Sequence, residues 1–169
     1  MNHSFTSFII YSILLLSSGD AQIKSDPSPS GLAIYCLKDS SITTTQADRL
    51  PLDSLVLTSN PFLSERDIIT YHWSTHIIDV QPRIDTVLNA MGKWWYKSAG
   101  VPFVVVVGNQ RIYLGTFWWY YSSSLPPVTC IVVPTSHPKL SYNSFCQQPD
   151  KRSDMRIHDA LVKENKLVE

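Results

Sequence analysis

Apolar residues run without interruption through "VPFVVVV", from Val101 to Val107, and end in four consecutive valines. Such a run, rich in β-branched residues, is typical of a strand that is covered on both faces. Gly108 and Asn109 supply a two-residue turn signal, after which "RIYLGTFW" returns as an antiparallel partner. We therefore predict a central β-hairpin.

The returning strand is mostly apolar on both sides. Side chains alternate across a strand, so the residues divide into two sets. One predicted face carries Ile112, Leu114, Thr116 and Trp118. The other carries Tyr113, Gly115, Phe117 and Trp119.

The period of the apolar positions changes just before the hairpin. They recur at steps of three and four residues, the spacing of one helix face, with polar residues between them. These positions are Ile84, Val87, Leu88, Met91 and one of the pair Trp94 and Trp95. Pro82 suits a first helical turn and Gly100 lies just past the end. The spacing predicts an amphipathic helix over residues 82–98.

Shorter apolar runs predict further strands. "LAIYCL", "LDSLVLTS" and "VTCIVV" are runs of this kind. "IITYHWSTHIIDV" predicts two strands, or one strand bent at Ser74 and Thr75. In front of it, Ser64 and Asp67 have the spacing at which two side chains cap the start of a helical turn.

Together these elements predict the fold class α+β, with one main amphipathic helix packed on an antiparallel or mixed sheet around a central β-hairpin. We place this single domain at residues 32–133. Residues 22–31 contain the small, polar, proline-bearing stretch "SDPSPSG" and read as a flexible linker. Residues 134–169 form a C-terminal extension, for which the alternatives are a helix and a mobile tail.

The N-terminal residues indicate export. An apolar run from Phe5 to Leu16 is followed by small residues that include Ser17, Gly19 and Ala21, the pattern of a signal peptide over residues 1–21. The run is shorter than the roughly 20 apolar residues that a spanning helix needs. We expect a secreted or periplasmic protein that is not an integral membrane protein after signal cleavage.

Charge and motifs exclude several function classes. The chain has 14 basic and 14 acidic residues, so no excess positive charge favours nucleic-acid binding. No phosphate-binding loop, no Cys-x-x-Cys pair and no zinc-protease or serine-hydrolase motif is present in the sequence. We therefore expect no nucleic acid, no cofactor and no metal site.

The three cysteines allow one disulfide in an oxidising compartment. Cys130 with Cys146 is the local pairing and Cys36 with Cys130 the long-range one. The sequence leaves both open.

Two blocks, "PFLSERDIITYHWSTHIIDV" and "GVPFVVVVGNQRIYLGTFW", resemble a group of small exported bacterial proteins and lipoproteins of unassigned function. The likeness spans residues 32–133 and brings no catalytic residue with it. The helix that leads into a hairpin is also similar to the periplasmic domain of the SecD translocase subunit, at the level of supersecondary structure. Such a likeness implies nothing about function.

One candidate for chemistry is the group His72, His76 and Asp79. In a continuous strand the two histidines share a face, which would suit a metal site or a small exported hydrolase. A bend at Ser74 and Thr75 would separate them.

The other candidate is a surplus of aromatic residues beyond what the core needs. Neighbouring aromatics on a strand point to opposite faces, so part of this set is expected at the surface, where such rings suit binding. The candidate binding residues are Trp95, Trp118, Trp119 and Tyr121. We expect a non-catalytic binding or envelope-interaction module whose partner is a protein or a cell-envelope component. The hydrolase or metal-binding protein remains the alternative.

Overall fold

The computed structural model describes residues 31–94 and 99–169. The strands in this part of the chain are β1 (Leu32–Cys36), β2 (Leu63–Ser64), β3 (Ile68–His72), β4 (Ile77–Val80), β5 (Val101–Val107), β6 (Gln110–Trp119), β7 (Thr129–Val133) and β8 (Leu167–Val168). The helices are α1 (Thr44–Asp48), α2 (Pro82–Trp94) and α3 (Met155–Lys163), with a 3₁₀ turn at Leu52–Ser54. The predicted α+β class is confirmed.

Two sheets form the framework. Five strands lie in the order β2-β1-β5-β6-β7, and three lie in the order β4-β3-β8. Neighbours in the larger sheet are antiparallel except for β6 and β7, which are parallel. In the smaller sheet β3 pairs antiparallel with β4 and parallel with β8. Both sheets are therefore mixed, and each is built around a central strand.

The predicted hairpin is the centre of the larger sheet. β5 lies between β1 and β6, and its residues from Pro102 to Val106 are buried. Phe103 and Val105 belong to the main core, whereas Val104 and Val106 belong to a second, smaller core on the opposite face. Gly108 adopts a φ of 56° in the two-residue turn, which a residue without Cβ adopts at least cost.

A bulge changes the predicted faces of β6. The pairing with β5 shifts between Val105 and Val106, so that Ile112 is an extra residue opposite them. Ile112 consequently joins Tyr113 in the main core, whereas Leu114 packs in the smaller one. The prediction that Ile112 shares a face with Leu114 is therefore wrong. Strict alternation was assumed, and the sequence carries no signal for the extra residue of the bulge.

The main core lies between the two sheets and the helices. α2 contributes Ile84, Leu88 and Met91, three of the residues that predicted it. α3 contributes Ile157 and Leu161 to the same core. The segment that the sequence analysis set apart as an extension thus packs into the same core as the hairpin.

Two local predictions differ from the structure. "LDSLVLTS" forms the 3₁₀ turn and a single bridge, Leu37 to Leu57, in place of a strand. Ser64 and Asp67 do interact, since the Asp67 carboxylate accepts hydrogen bonds from the Ser64 backbone and hydroxyl. They close a turn between β2 and β3 and begin no helix, because the chain enters β3 at once.

Candidate functional site

An exposed apolar surface lies where β6 ends and the chain turns back toward β7. Tyr120 and Tyr121 are 68% and 74% exposed, and Leu125 in the same loop is 59% exposed. Trp119 is half-buried, and its ring centre lies 5.5 Å from that of Tyr121. We call Trp119, Tyr120, Tyr121 and Leu125 the aromatic tip.

Two backbone hydrogen bonds fix the start of the aromatic tip, one to β7 and one within the turn. The Tyr120 amide donates to the Val133 carbonyl at 3.0 Å, and the Ser122 amide donates to the Trp119 carbonyl at 3.0 Å. The Tyr120 and Tyr121 rings lie 5.1 Å apart at 90°, one of the arrangements that aromatic pairs favour. The tip is therefore an ordered projection of the sheet.

Trp118 supports this surface from inside and does not belong to it. Its side chain is buried, and its indole Nε1 donates to the Ser124 carbonyl at 3.1 Å, which ties the loop to the sheet. Gly100, with a φ of 67°, packs so closely that a Cβ atom there would come within 2.6 Å of the Trp118 ring. The prediction that Trp118 is a contact residue is corrected, because its face of β6 is covered.

The predicted binding residues fall in three different places. Trp119 and Tyr121 lie at the surface, Trp118 lies in the core, and Trp95 lies outside the described residues. Tyr120 belongs to the predicted aromatic surplus and to the candidate stretch "WWYY", although not to the four candidate binding residues, and Leu125 was not predicted as a contact residue. The relevant signal is that β6 ends at Trp119. Side chains alternate between faces only within a strand, so neighbouring side chains after Trp119 can face the same way.

The aromatic tip lies in a long stretch without formal charge. No Asp, Glu, Lys or Arg occurs between Arg111 and Lys139, a stretch in which His137 is the single titratable residue besides the tyrosines and Cys130. The tip therefore offers rings, an aliphatic side chain and hydroxyl groups, and no ionic contact from its own segment.

The second candidate site lies in the smaller sheet, on the hairpin of β3 and β4. His72 Nε2 lies 2.9 Å from Asp79 Oδ2, and both side chains are more than one-third exposed. The Thr70 hydroxyl also donates to Asp79. Hydrogen bonds from Thr70 and then His72 lower the pKa of Asp79 below its usual range.

His76 turns away from this pair. It occupies the bend between β3 and β4 with a φ of 57°, is buried, and its Nδ1 lies 3.0 Å from the Tyr71 hydroxyl. Burial, and after it the charge of Arg152, lowers the pKa of His76. The structure thus brings His72 and Asp79 together and separates His76 from them, as a bend at Ser74 and Thr75 was expected to do.

The described contacts of the His72–Asp79 pair join its two members to each other and join Asp79 to Thr70. A hydroxyl nucleophile must reach the histidine, but the Thr70 hydroxyl is bonded to the carboxylate instead. Among the described residues, no group of three His, Cys, Asp or Glu side chains is arranged to hold a metal ion.

The cysteines are free thiols in the structure. Cys36 lies on β1 and Cys130 on β7, with β5 and β6 between them. Three strand spacings amount to about 14 Å, whereas a disulfide requires Cα atoms within about 7 Å. The long-range pairing is therefore excluded. Burial, and after it the neighbouring Cys146, raises the pKa of Cys130 to about 11.

The described residues contain no helix that is both long and apolar enough to cross a membrane. Comparisons with protein-family models, with curated proteins and with solved structures gave no match to this chain.

Proposed function

We propose that the protein is a non-catalytic envelope-interaction module whose aromatic tip contacts the headgroup region of an uncharged lipid bilayer. The observation that carries this proposal is the exposure of Tyr120, Tyr121 and Leu125 beside half-buried Trp119 on an ordered loop. Trp and Tyr favour the boundary between membrane and water because their rings are apolar and their polar atoms keep contact with water.

The size of the tip favours a bilayer over a protein partner. A free aromatic side chain offers about 150–250 Å², so the three most exposed side chains together offer on the order of 400 Å². A stable protein–protein interface buries about 800 Å² on each partner, roughly twice that area. Binding at a bilayer surface has no such threshold, because its strength scales with the apolar area that is inserted.

The charge of the tip defines the kind of bilayer. Because the segment from Arg111 to Lys139 has no basic residue between its ends, it offers no cation to an anionic headgroup. We therefore expect binding through apolar and aromatic contacts, with little dependence on salt.

The alternative, a small exported hydrolase or metal-binding protein centred on His72, His76 and Asp79, has less support. Only His72 and Asp79 approach each other, and His76 is directed into the interior. A histidine–carboxylate pair on a hairpin surface is also a common structural contact.

Vesicle sedimentation tests the proposal. The chain beginning at Gln22 is used, because the apolar segment from Phe5 to Leu16 would bind lipid by itself. We expect it to sediment with phosphatidylcholine vesicles at low and at high salt. A triple variant, Tyr120→Ser, Tyr121→Ser and Leu125→Ser, should bind at least about tenfold more weakly, since it removes most of the exposed apolar area of the aromatic tip.

The matched control carries Val56→Ser and Met155→Ser, two exposed apolar side chains outside the aromatic tip. It should bind vesicles as the parent chain does. Equal binding by the triple variant, or no binding by the parent chain, would overturn the lipid assignment. Tip-dependent binding to cell-wall glycans or to an envelope protein, without vesicle binding, would also overturn it.

A further inference from the structure

A second loop beside the aromatic tip carries a large exposed ring. Phe145 is 66% exposed, a fraction exceeded only by Tyr121 and Tyr120 among the large apolar side chains that the structure describes. Its loop, residues 142–149, follows the bridge between Ser141 and Cys130 of β7. We call residues 142–149 the Phe145 loop.

Strand β7 carries both loops. The Tyr120 amide of the aromatic tip donates to the Val133 carbonyl, and the backbones of Ser141 and Cys130 exchange hydrogen bonds of 2.7 and 2.8 Å. Cys130 and Val133 are three residues apart on this strand, a distance of about 10 Å. The bases of the two loops are therefore neighbours at one edge of the larger sheet.

The Asn143 side chain joins the two loops. Its Nδ2 donates to the Pro126 carbonyl at 3.3 Å, and Pro126 directly follows Leu125 of the aromatic tip. Its Oδ1 accepts a hydrogen bond from the Phe145 amide at 2.8 Å. A single amide group thus connects the backbone beside Leu125 with the backbone of Phe145, and both of these side chains are exposed.

The Phe145 loop contains no formal charge. Between Arg111 and Asp150, Lys139 is the single residue with a formal charge, and it pairs with β4 of the smaller sheet. The guanidinium carbon of Arg152 lies 5.7 Å from the centre of the Tyr142 ring, but this guanidinium is paired with the Asp150 carboxylate at 2.7 Å. The loop therefore suits the same uncharged surface as the aromatic tip.

The ring of Phe145 differs from those of the exposed tyrosines because it has no polar atom. A tyrosine hydroxyl keeps contact with water, which holds the ring at the level of the headgroups. Apolar side chains without such a group are buried at the boundary between headgroups and acyl chains. Phe145 and Leu125 are therefore accommodated best where this boundary is accessible, which is where the lipids are loosely packed.

Given the proposed function of the aromatic tip, on which this inference rests, we propose that the Phe145 loop is a second contact with the same bilayer. It inserts Phe145 beside Leu125 below the headgroups and directs binding to loosely packed, uncharged bilayers. Asn143 is the positioning residue, because it holds the two loops together. The exposed part of Phe145 adds on the order of 100 Å² to the contact, and the combined area stays below the roughly 800 Å² that a stable protein partner buries.

Vesicle sedimentation with the chain beginning at Gln22 tests the proposal. Small sonicated vesicles, whose strong curvature loosens the outer lipids, are compared with large extruded vesicles of the same phosphatidylcholine. Reductant keeps the cysteines as the free thiols of the structure. We expect the parent chain to bind small vesicles several-fold more tightly than large ones at equal lipid concentration.

Substitutions at Phe145 test the inserted ring. Phe145→Ser should weaken binding to small vesicles at least about fivefold, because the exposed apolar area of the ring is lost. Phe145→Tyr keeps the ring and adds a hydroxyl, so it should bind large vesicles as the parent does and lose part of the preference for small ones. The matched control is Met155→Ser, at a side chain on α3 that is 58% exposed. It should bind as the parent chain does.

Asn143→Ala tests the positioning role. It leaves the Phe145 ring in place and should weaken binding to small vesicles, but it should have no further effect in the Phe145→Ser background. Equal effects in the two backgrounds would overturn the positioning role. Circular dichroism reports whether each variant is folded, and the exposed position of Phe145 keeps the test available if Asn143→Ala does not fold.

The outcomes separate this proposal from the one on which it rests. If the parent chain binds through the aromatic tip and Phe145→Ser binds equally well, the second contact is overturned and the tip stands. Equal binding of the parent chain to small and large vesicles, or an unchanged preference in Phe145→Ser, would overturn the selection of loosely packed lipids. Absence of binding to either kind of vesicle would overturn both proposals.

Discussion

Phe103 lies against Gly115 across the β5–β6 pair, where a Cβ atom at position 115 would come within 2.2 Å of the Phe103 ring. Both residues are in the middle of the larger sheet, and the Phe103 ring also lies 4.8 Å from that of Phe117. The ring therefore occupies the space that any side chain at position 115 would need, and the glycine is required by packing.

We predict that Gly115→Ala lowers the free energy of unfolding by about 1–3 kcal/mol, the usual cost of overpacking a core. Urea denaturation measures this change. The double variant with Phe103→Leu should recover part of the loss, because the smaller side chain leaves room for the new methyl group. If the changes in the free energy of unfolding of the two single variants simply add in the double variant, the contact between Phe103 and position 115 is not the cause of the loss.

The buried His76 makes stability depend on pH. Burial and the charges of Arg152 and Lys139 lower its pKa below the ordinary value of 6.5, although Asp150 opposes them. As the pH falls, the unfolded chain therefore takes up a proton at His76 at a higher pH than the folded chain does. The contribution of His76 to the free energy of unfolding is fully present above about pH 6.5. It is lost as the pH falls from there toward the pKa of His76 in the folded state.

Denaturation at a series of pH values tests this expectation. His76→Asn suits the position because Asn tolerates a positive φ and does not titrate. This variant should lose part of the pH dependence below about pH 6.5. The exposed residue His137 provides the control, and His137→Asn should retain the full dependence. The same dependence in all three proteins would rule out His76 as its source.

The helix α3 is predicted to be integral to stability. Leu161→Ala should lower the free energy of unfolding by about 2–5 kcal/mol, because Leu161 is buried in the main core. Val162, the next residue, is 49% exposed. Its replacement by Ala should change stability by less than about 0.5 kcal/mol. Similar small effects of both substitutions would mean that α3 does not pack as described.

Under oxidising conditions we predict a disulfide between Cys130 and Cys146, which encloses a loop of 15 residues. In the chain-entropy account a loop of about this size is stabilised by roughly 3 kcal/mol. Peptide mapping without reductant should find this link and leave Cys36 as a thiol. A link from Cys36 to Cys130 would contradict the strand order, which places β1 far from β7, and a link from Cys36 to Cys146 would contradict the predicted pairing.

Much of the framework could be predicted because it depends on local pattern. The valine run of β5, the turn at Gly108 and the three-to-four spacing of α2 each specify an element within a few residues. The extra residue Ile112 could not be predicted, because a bulge is defined by the pairing partner and not by the strand that contains it.

The candidate sites were harder to predict than the framework, because they depend on contacts between residues that are distant in the sequence. The aromatic surplus was visible along the chain, yet the separation of Trp118 from Trp119 followed from what covers each face of β6. Residues as distant in the sequence as Asp48, Tyr113 and Lys151 line one cleft, which no local pattern predicts.

The pairing of β8 with β3 has a consequence for how the chain reaches this structure. Tyr71 lies opposite Leu167, which follows it 96 residues later in the chain. A chain that emerges from its N-terminal end has β3 ready long before β8, so one edge of that strand stays unpaired while the intervening residues follow. Exposed strand edges promote association between chains, and contacts between distant residues slow folding. Newly made chains are therefore most vulnerable to aggregation in the interval before the last strand closes the smaller sheet.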